Sequence, residues 1–237
     1  FAINDFGLSP GSFASDAVTP IAGRGLSFGG TLAPGPATNI IEFVVLATTG
    51  NSSDFGDLSA VTYSSSGFSS TTRGCMRVST NNSTAYNPTL EYVTVASAGN
   101  TTDFGDVTAD RREESACSNN TRGLFQGGKT ESAPAGNNNI DYFTIASTGD
   151  GTDFGDLSAT RQQFGACASP TRGITSMGGD DNSGTEGSDI MDYVTIASTG
   201  NSADFGNLST RLDTCYCGAA SSSTRGVIAG GRWNGTG

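Results

Sequence analysis

Two short motifs carry groups able to do chemistry, and both recur at a fixed spacing. Asp-Phe-Gly begins at Asp5, Asp54, Asp103, Asp153 and Asp204, in steps of 49, 49, 50 and 51 residues. Arg-Gly begins at Arg24, Arg73, Arg122, Arg172 and Arg225, following its aspartate by 19 residues in the first four copies and by 21 in the last. Carboxylates can hold a cation and guanidinium groups an anion. Thiols are supplied by Cys75, Cys117, Cys167, Cys215 and Cys217. There is no histidine, which excludes imidazole acid–base catalysis, His-ligated zinc and a Ser-His-Asp triad.

Catalytic sites are singular, whereas these groups come in fives, which points to structure. Asp-Phe-Gly is also the metal-holding triplet of protein kinases, but the Gly-rich loop, strand lysine and His-Arg-Asp loop it works with are missing, and Lys129 is the only lysine. The repetition instead assigns Phe55, Phe104, Phe154 and Phe205 to wedges between repeats, with Asp54, Asp103, Asp153 and Asp204 as turn residues beside them. Arg73, Arg122, Arg172 and Arg225 could form a basic ring round a channel. The favoured expectation is that each pairs with a nearby acid or carbonyl and joins neighbouring units, since buried arginine is normally paired. Cys117 and Cys167 each lie 14 residues after their aspartate. Equivalent positions in different units sit too far apart for a disulfide, so buried free thiols are expected. Two thiolates in Cys215-Tyr216-Cys217 do not fill a tetrahedral site. No metal and no cofactor is expected.

The elements that position these groups are short strands. Of the 237 residues only 15% are charged while 34 are Gly, a composition that favours strands and turns over long helices. A β-branched and aromatic run precedes four of the aspartates, at 41–47, 90–96, 140–146 and 191–197. Its apolar residues alternate onto both faces, as in a strand between two sheets. Each unit reads as a small-residue strand a, a strand b opened by the Arg-Gly pair, this strand c, and a short strand d around the Phe. Small residues in strand a suit a crowded axis. The net charge of −11 opposes a nucleic-acid surface, and no apolar run approaches the ~18 residues of a membrane span. No signal peptide is visible, and the sequence opens on Phe1 as in a processed chain or a piece of a longer one.

Four strands per ~50 residues, Gly-Gly after strand b, an aromatic in strand c and an aromatic followed by Leu in strand d resemble the kelch repeat. Phe in place of the family's Trp in strand d, and Val78-Ser79 in place of Gly-Gly, depart from it. The resemblance implies an all-β, kelch-like β-propeller, a single domain over 1–237. Its five repeats would be approximately 10–59, 60–108, 109–158, 159–209, and 210–237 completed by 1–9. Further repeats outside this sequence would enlarge the ring. The wording of the repeat, as in Ile140 to Gly149 followed by Asp153 to Leu157, is similar to kelch-like structural proteins of marine tailed bacteriophages.

That similarity implies a non-enzymatic structural or adhesive virion component: tail, fibre or capsid surface. Its partners would be other virion proteins, further copies of itself, or a host-surface glycan or protein, with neither nucleic acid nor membrane insertion. The alternative is a bacterial carbohydrate- or protein-binding propeller, extracellular or on the cell surface. A glycosidase is the lesser alternative. Ser52 to Gly56 and Ser202 to Gly206 begin like the Asp-box of sialidase propellers but lack its closing aromatic, having Ser59 and Ser209 there. Sequence differences concentrate between strands b and c, in loops of near-constant length, and variable loops on one face of an array are where binding resides. These loops offer Tyr86, Asn87, Asn138, Asp180, Asp181, Asn182 and Trp233, the only tryptophan. The Asp180, Asp181 and Asn182 trio lacks the ligand spacing of a calcium loop.

Overall fold

The computed structural model describes residues 23–31, 35–62, 64, 66–79, 86–133, 136–176, 178, 188–212 and 217–230. Among them there are strands and no helix. A first sheet contains β1 (Arg24–Phe28), β2 (Thr38–Val45) and β3 (Ser53–Thr62), and a second contains β4 (Gly67–Ser69), β5 (Arg73–Arg77), β6 (Thr89–Thr94) and β7 (Thr102–Asp106). The third holds β8 (Ser115–Ser118), β9 (Arg122–Gln126), β10 (Asn137–Thr144) and β11 (Thr152–Arg161). In the fourth are β12 (Gly165–Ala168), β13 (Arg172–Ser176), β14 (Ser188–Thr195) and β15 (Ala203–Leu212), and β16 (Cys217–Ser221) and β17 (Gly226–Gly230) form a ribbon. Every sheet is an antiparallel meander in chain order.

The small-residue strands β4, β8, β12 and β16 lie against one another from sheet to sheet. The sheets therefore form the blades of a β-propeller-like arrangement, with strand a innermost. Among the described residues there are four blades rather than the five expected. The fifth repeat shows only the β16–β17 ribbon, and both 231–237 and the 1–9 segment expected to complete it lie outside the described residues.

Hydrophobic clusters form between blades rather than within them. Ile41, Phe55 and Leu58 of the first blade meet Met76, Val78 and Val93 of the second. Phe68, Cys75, Leu90 and Phe104 then meet Phe125, Phe143 and Ile145, and Cys117, Leu124, Ile140, Phe154 and Leu157 meet Phe164, Ala168, Val194 and Ile196. Strand c feeds both sides because its successive side chains point to opposite faces. Its ends differ slightly from expectation. The Ala-containing tail has already entered a turn, with Ser97 N donating to Thr94 O at 3.1 Å and Ser147 N to Thr144 O at 3.1 Å.

Asp-Phe-Gly proves to be a β-bulge. Ile41 pairs with Gly56 and Glu42 with Asp54, so Phe55 is an extra residue on β3, and Phe104, Phe154 and Phe205 are extra in the same way. A bulge re-aims a side chain, here into the space before the next blade. Phe55, Phe104 and Phe154 are each 2% exposed, and Phe104 meets Phe143 edge-on at 5.9 Å. The aspartates thus stand in strands, not turns, because the bulge does the bending. Asp153 Oδ1 accepts from Gly155 N at 3.2 Å and Asp204 Oδ1 from Gly206 N at 3.0 Å. Gly56, Gly105 and Gly155 have φ of 148, 143 and 139°, and a Cβ on any of them would overlap Gly99, Gly149 or Gly200 of the next blade. Only glycine satisfies both conditions.

Phe205 is 44% exposed: among the described residues no third strand stands beside it as Val93, Phe143 and Val194 stand beside its counterparts. Phe154→Ala should therefore cost about 3–5 kcal/mol of unfolding free energy, and Phe205→Ala distinctly less. Urea titrations of the two variants check this, and equal losses would contradict the wedge.

Candidate functional site

The repeated arginines join blades. Arg24, Arg73 and Arg122 stack their guanidinium groups on Phe43, Tyr92 and Tyr142 of their own blades, at 4.7, 4.5 and 4.6 Å from the ring centroids. Each then donates from Nη1 into the next blade, to the carbonyls of Val95 (2.9 Å), Ile145 (2.8 Å) and Ile196 (3.0 Å). Arg172 stacks on Tyr193 at 4.7 Å, and Arg225 is exposed at the head of the ribbon. The guanidinium suits this place because it is weakly hydrated, planar and rich in donors. The following glycine admits the previous blade. Phe68 lies against Gly123, Cys117 Sγ against Gly173 and Cys167 Sγ against Gly226, so closely that a Cβ would collide.

A second set of joints is ionic and buried. In the middle of strand c stand Glu91, Asp141 and Asp192, all 3% exposed or less. Asp141 pairs with Arg111 and also accepts from Thr108 N (3.1 Å) and Oγ1 (2.7 Å). Asp192 pairs with Arg161 at 3.0 Å and accepts from Ser158 N (3.1 Å) and Oγ (2.7 Å). At the first interface Thr62 stands where an arginine would, and Glu91 is satisfied by Ser59 N at 3.1 Å together with the hydroxyls of Ser59 and Thr101. Arg77 bonds Glu114 at 3.0 Å, with both side chains fully buried. Burial pulls the Arg111 and Arg161 guanidinium groups below their ordinary range, and Asp141 and Asp192 oppose that pull.

The b-to-c loops share one end of the meanders with the d-to-a links. There Tyr86 is half-buried beneath the Arg112 guanidinium, 5.2 Å away. Asn87 is tied down as a strand cap, its N donating to Ser79 O (2.8 Å) and its Oδ1 accepting from Thr89 N (2.9 Å). Asn138 is not in a loop, because β10 begins at Asn137. Asp180, Asp181, Asn182 and Trp233 lie outside the described residues.

Gathered on the same end are residues the motifs did not single out. Glu113 Oε2 accepts from Lys129 Nζ (2.8 Å) and Gln163 Nε2 (2.7 Å), with Arg112 Nε at 3.7 Å from Oε1. Arg112 and Lys129 exchange both backbone hydrogen bonds, at 3.1 and 2.9 Å. Ser64, Glu113 and Gln163 occupy one repeat position and hold φ of 55, 60 and 57°. Glu113 N donates to Ser64 O and Gln163 N to Glu113 O, at 3.2 and 2.9 Å, linking blade to blade. This mixed-charge cluster beside an aromatic is largely paired within itself, its side chains only 9–15% exposed. The signal for it was the run Arg111-Arg112-Glu113-Glu114 together with the only lysine.

Among the described residues no three His, Cys, Asp or Glu converge on a metal position. Cys75, Cys117 and Cys167 are free and buried, and Gln126 Nε2 donates to Cys117 Sγ at 3.1 Å. Burial pushes Cys75 and Cys117 from 9.0 up to about 12 and raises Cys167 as well. In comparison with known proteins, no family model and no curated protein matches this chain.

Two outcomes follow from these groups. Asp141→Ala should lose about 3–5 kcal/mol by leaving Arg111 buried without its partner, whereas Arg111→Met with Asp141→Leu should recover most of the loss. Denaturant titration of the three chains decides it. The thiols make the fold alkali-sensitive. A folded value raised above the unfolded one gives stability that is whole below pH 9.0 and is lost as pH rises toward about 12. The melting temperature should fall over that window, and less steeply in a Cys75→Ala/Cys117→Ala chain.

Proposed function

We propose that the chain is a non-enzymatic binding module, a kelch-like propeller that serves as a structural or adhesive component of a phage virion. It would attach to a neighbouring virion subunit or to a host-surface glycan or protein. The observation that carries the binding part is a division between the two sets of polar groups. Repeated ones are consumed in joints between blades, as with Arg24, Arg73 and Arg122 on carbonyls and Arg111 and Arg161 on aspartates. Those that differ from copy to copy lie at the end that carries Tyr86, Arg112, Glu113 and Lys129, a half-buried cluster paired within itself beneath the variable loops. Aromatic and arginine side chains are favoured anchors in protein recognition, and the net charge of −11 disfavours polyanionic partners.

The virion and kelch parts rest on the wording of the repeat. Phe wedges, Arg-Gly pairs and strand-c aromatics at one period support them. A bacterial carbohydrate-binding propeller would use the same face, and the genes flanking this one separate the two readings.

The test of the binding face is to replace residues 80–85 and 179–187 with Gly-Ser of equal length. The intact and altered chains are then compared on a glycan array and against the products of the flanking genes. Binding by the intact chain should disappear while the melting transition stays nearly unchanged. Binding that persists would move the contact to another surface, and turnover of any glycan would end the non-enzymatic reading.

A further inference from the structure

One edge of β17 pairs with β16, and among the described residues nothing pairs with the other. The four strands at its repeat position, β1, β5, β9 and β13, each carry a strand c on that edge. The outermost strands β7, β11 and β15 protect their free edges with acids and a bulge, devices that discourage strand addition. β17 reads Gly-Val-Ile-Ala-Gly, with no charge, proline or bulge. Its free edge is an unguarded template.

The ribbon is nevertheless seated as in a complete blade. Cys167 Sγ lies against Gly226 as Cys117 Sγ lies against Gly173. Ser222 Oγ accepts from Arg225 N at 3.1 Å and Ser222 N donates to Arg225 O at 2.8 Å, as Ser169 does with Arg172 at 3.0 and 2.9 Å. What differs is only what a strand c supplies elsewhere. Val227 is 62% exposed, whereas Cys75 and Leu124 at its repeat position are at most 1% exposed. Arg225 meets no aromatic ring among the described residues, whereas Arg73, Arg122 and Arg172 stack on Tyr92, Tyr142 and Tyr193. Phe205, the wedge facing the same place, is the exposed one of its set.

We propose that the β17 edge and the Phe205 bulge form an acceptor for an extended segment of a partner polypeptide, which adds to the ribbon as a strand. The repeated register gives the chemistry of that segment. Gly74, Cys75 and Met76 stand opposite Val93, Tyr92 and Glu91, and Gly123, Leu124 and Phe125 opposite Phe143, Tyr142 and Asp141. Gly173, Ile174 and Thr175 stand opposite Val194, Tyr193 and Asp192. A segment antiparallel to Gly226, Val227 and Ile228 therefore reads acid, aromatic, apolar from its N-terminal side. Its acid accepts from Ser209, which holds the place of Ser59, Thr108 and Ser158, the hydroxyl donors to Glu91, Asp141 and Asp192. Its ring lies under Arg225, and its apolar residue covers Phe205 as Val93 covers Phe55 and Val194 covers Phe154. Main-chain hydrogen bonds supply affinity in such strand addition and the alternate side chains supply specificity. Walls that are already in place reduce the ordering cost.

The probe is a synthetic peptide with the sequence of residues 188–201, the strand c and turn of the fourth blade, titrated by fluorescence anisotropy into the 237-residue chain. It should bind saturably, and amide hydrogen exchange should then slow within Gly226–Gly230. Asp192→Lys or Tyr193→Ala in the peptide should weaken binding by at least about tenfold, as should Arg225→Ala or Phe205→Ala in the chain. Both chain positions are exposed, so the melting transitions of these two variants should stay close to that of the unaltered chain. Absence of saturable binding would overturn the proposal, and so would binding that none of the four changes weakens or that protects amides elsewhere but not in β17. A peptide-free chain whose sedimenting mass grows with concentration and falls when the peptide is added would also overturn it, by assigning the edge to a second copy.

Discussion

A blade of this protein has apolar side chains on both faces and can cover neither by itself. Everything else in the architecture answers that constraint. Strand c sends Leu90 forward and Val93 backward, or Ile140 forward and Phe143 backward, and both members of each pair are buried. The hydrophobic effect therefore acts between sheets, and each sheet is stable only as far as its neighbour is in place. The bulge at Asp-Phe-Gly makes the contact possible. One extra residue lets a phenylalanine leave the alternation of its strand, and the glycine after it lets the next blade's turn reach the backbone.

The polar joints follow from the same dependence. Two sheets that meet only through apolar faces can slide over one another at little cost, because apolar burial is non-directional. Arg111 with Asp141 and Arg161 with Asp192 oppose it, because a shifted register would leave a buried charge unpaired. Breaking such a pair costs several kcal/mol although forming it yields little net energy. The arginines of the Arg-Gly pairs do the same at the blade edge with a carbonyl in place of a carboxylate.

Much of this was legible in the sequence because repetition separates structure from function. The period, the all-β class, strand a near the axis, the wedge role of the phenylalanines and the joining role of the arginines, to an acid or a carbonyl, all follow from residue types at fixed intervals. The aspartates did not read correctly. Asp before Phe-Gly has the composition of a turn, and a bulge inside a strand uses the same residues for the same local reason, a side-chain oxygen on a nearby amide. Glu91, Asp141 and Asp192 were overlooked although an acid amid Val, Tyr and Ile is a visible anomaly. The arginine partners of Asp141 and Asp192 lie 30 and 31 residues earlier in the chain. Asn138 was placed in a loop because an Asn run looks like one, and pairing of β10 with the long β11 drew it into a strand.

The proposed recognition surface lies where the joints leave off. Inter-blade contacts occupy the blade faces, so substitutions there must preserve wedge, glycine and charge in several copies at once. The connections at the end of the meanders carry no such duty, except where Glu113, Gln163 and Ser64 pass hydrogen bonds from blade to blade in a left-handed backbone conformation. Residues other than glycine hold that conformation at a cost of order 1–3 kcal/mol each, met by the surrounding structure. The strain therefore falls beneath the loops that vary rather than at the joints that repeat. A hydrogen-bonded floor of this kind holds Tyr86, Arg112 and Lys129 beneath loops whose sequences differ, and in the proposed reading it separates the freedom to alter a partner from the need to keep the blades together.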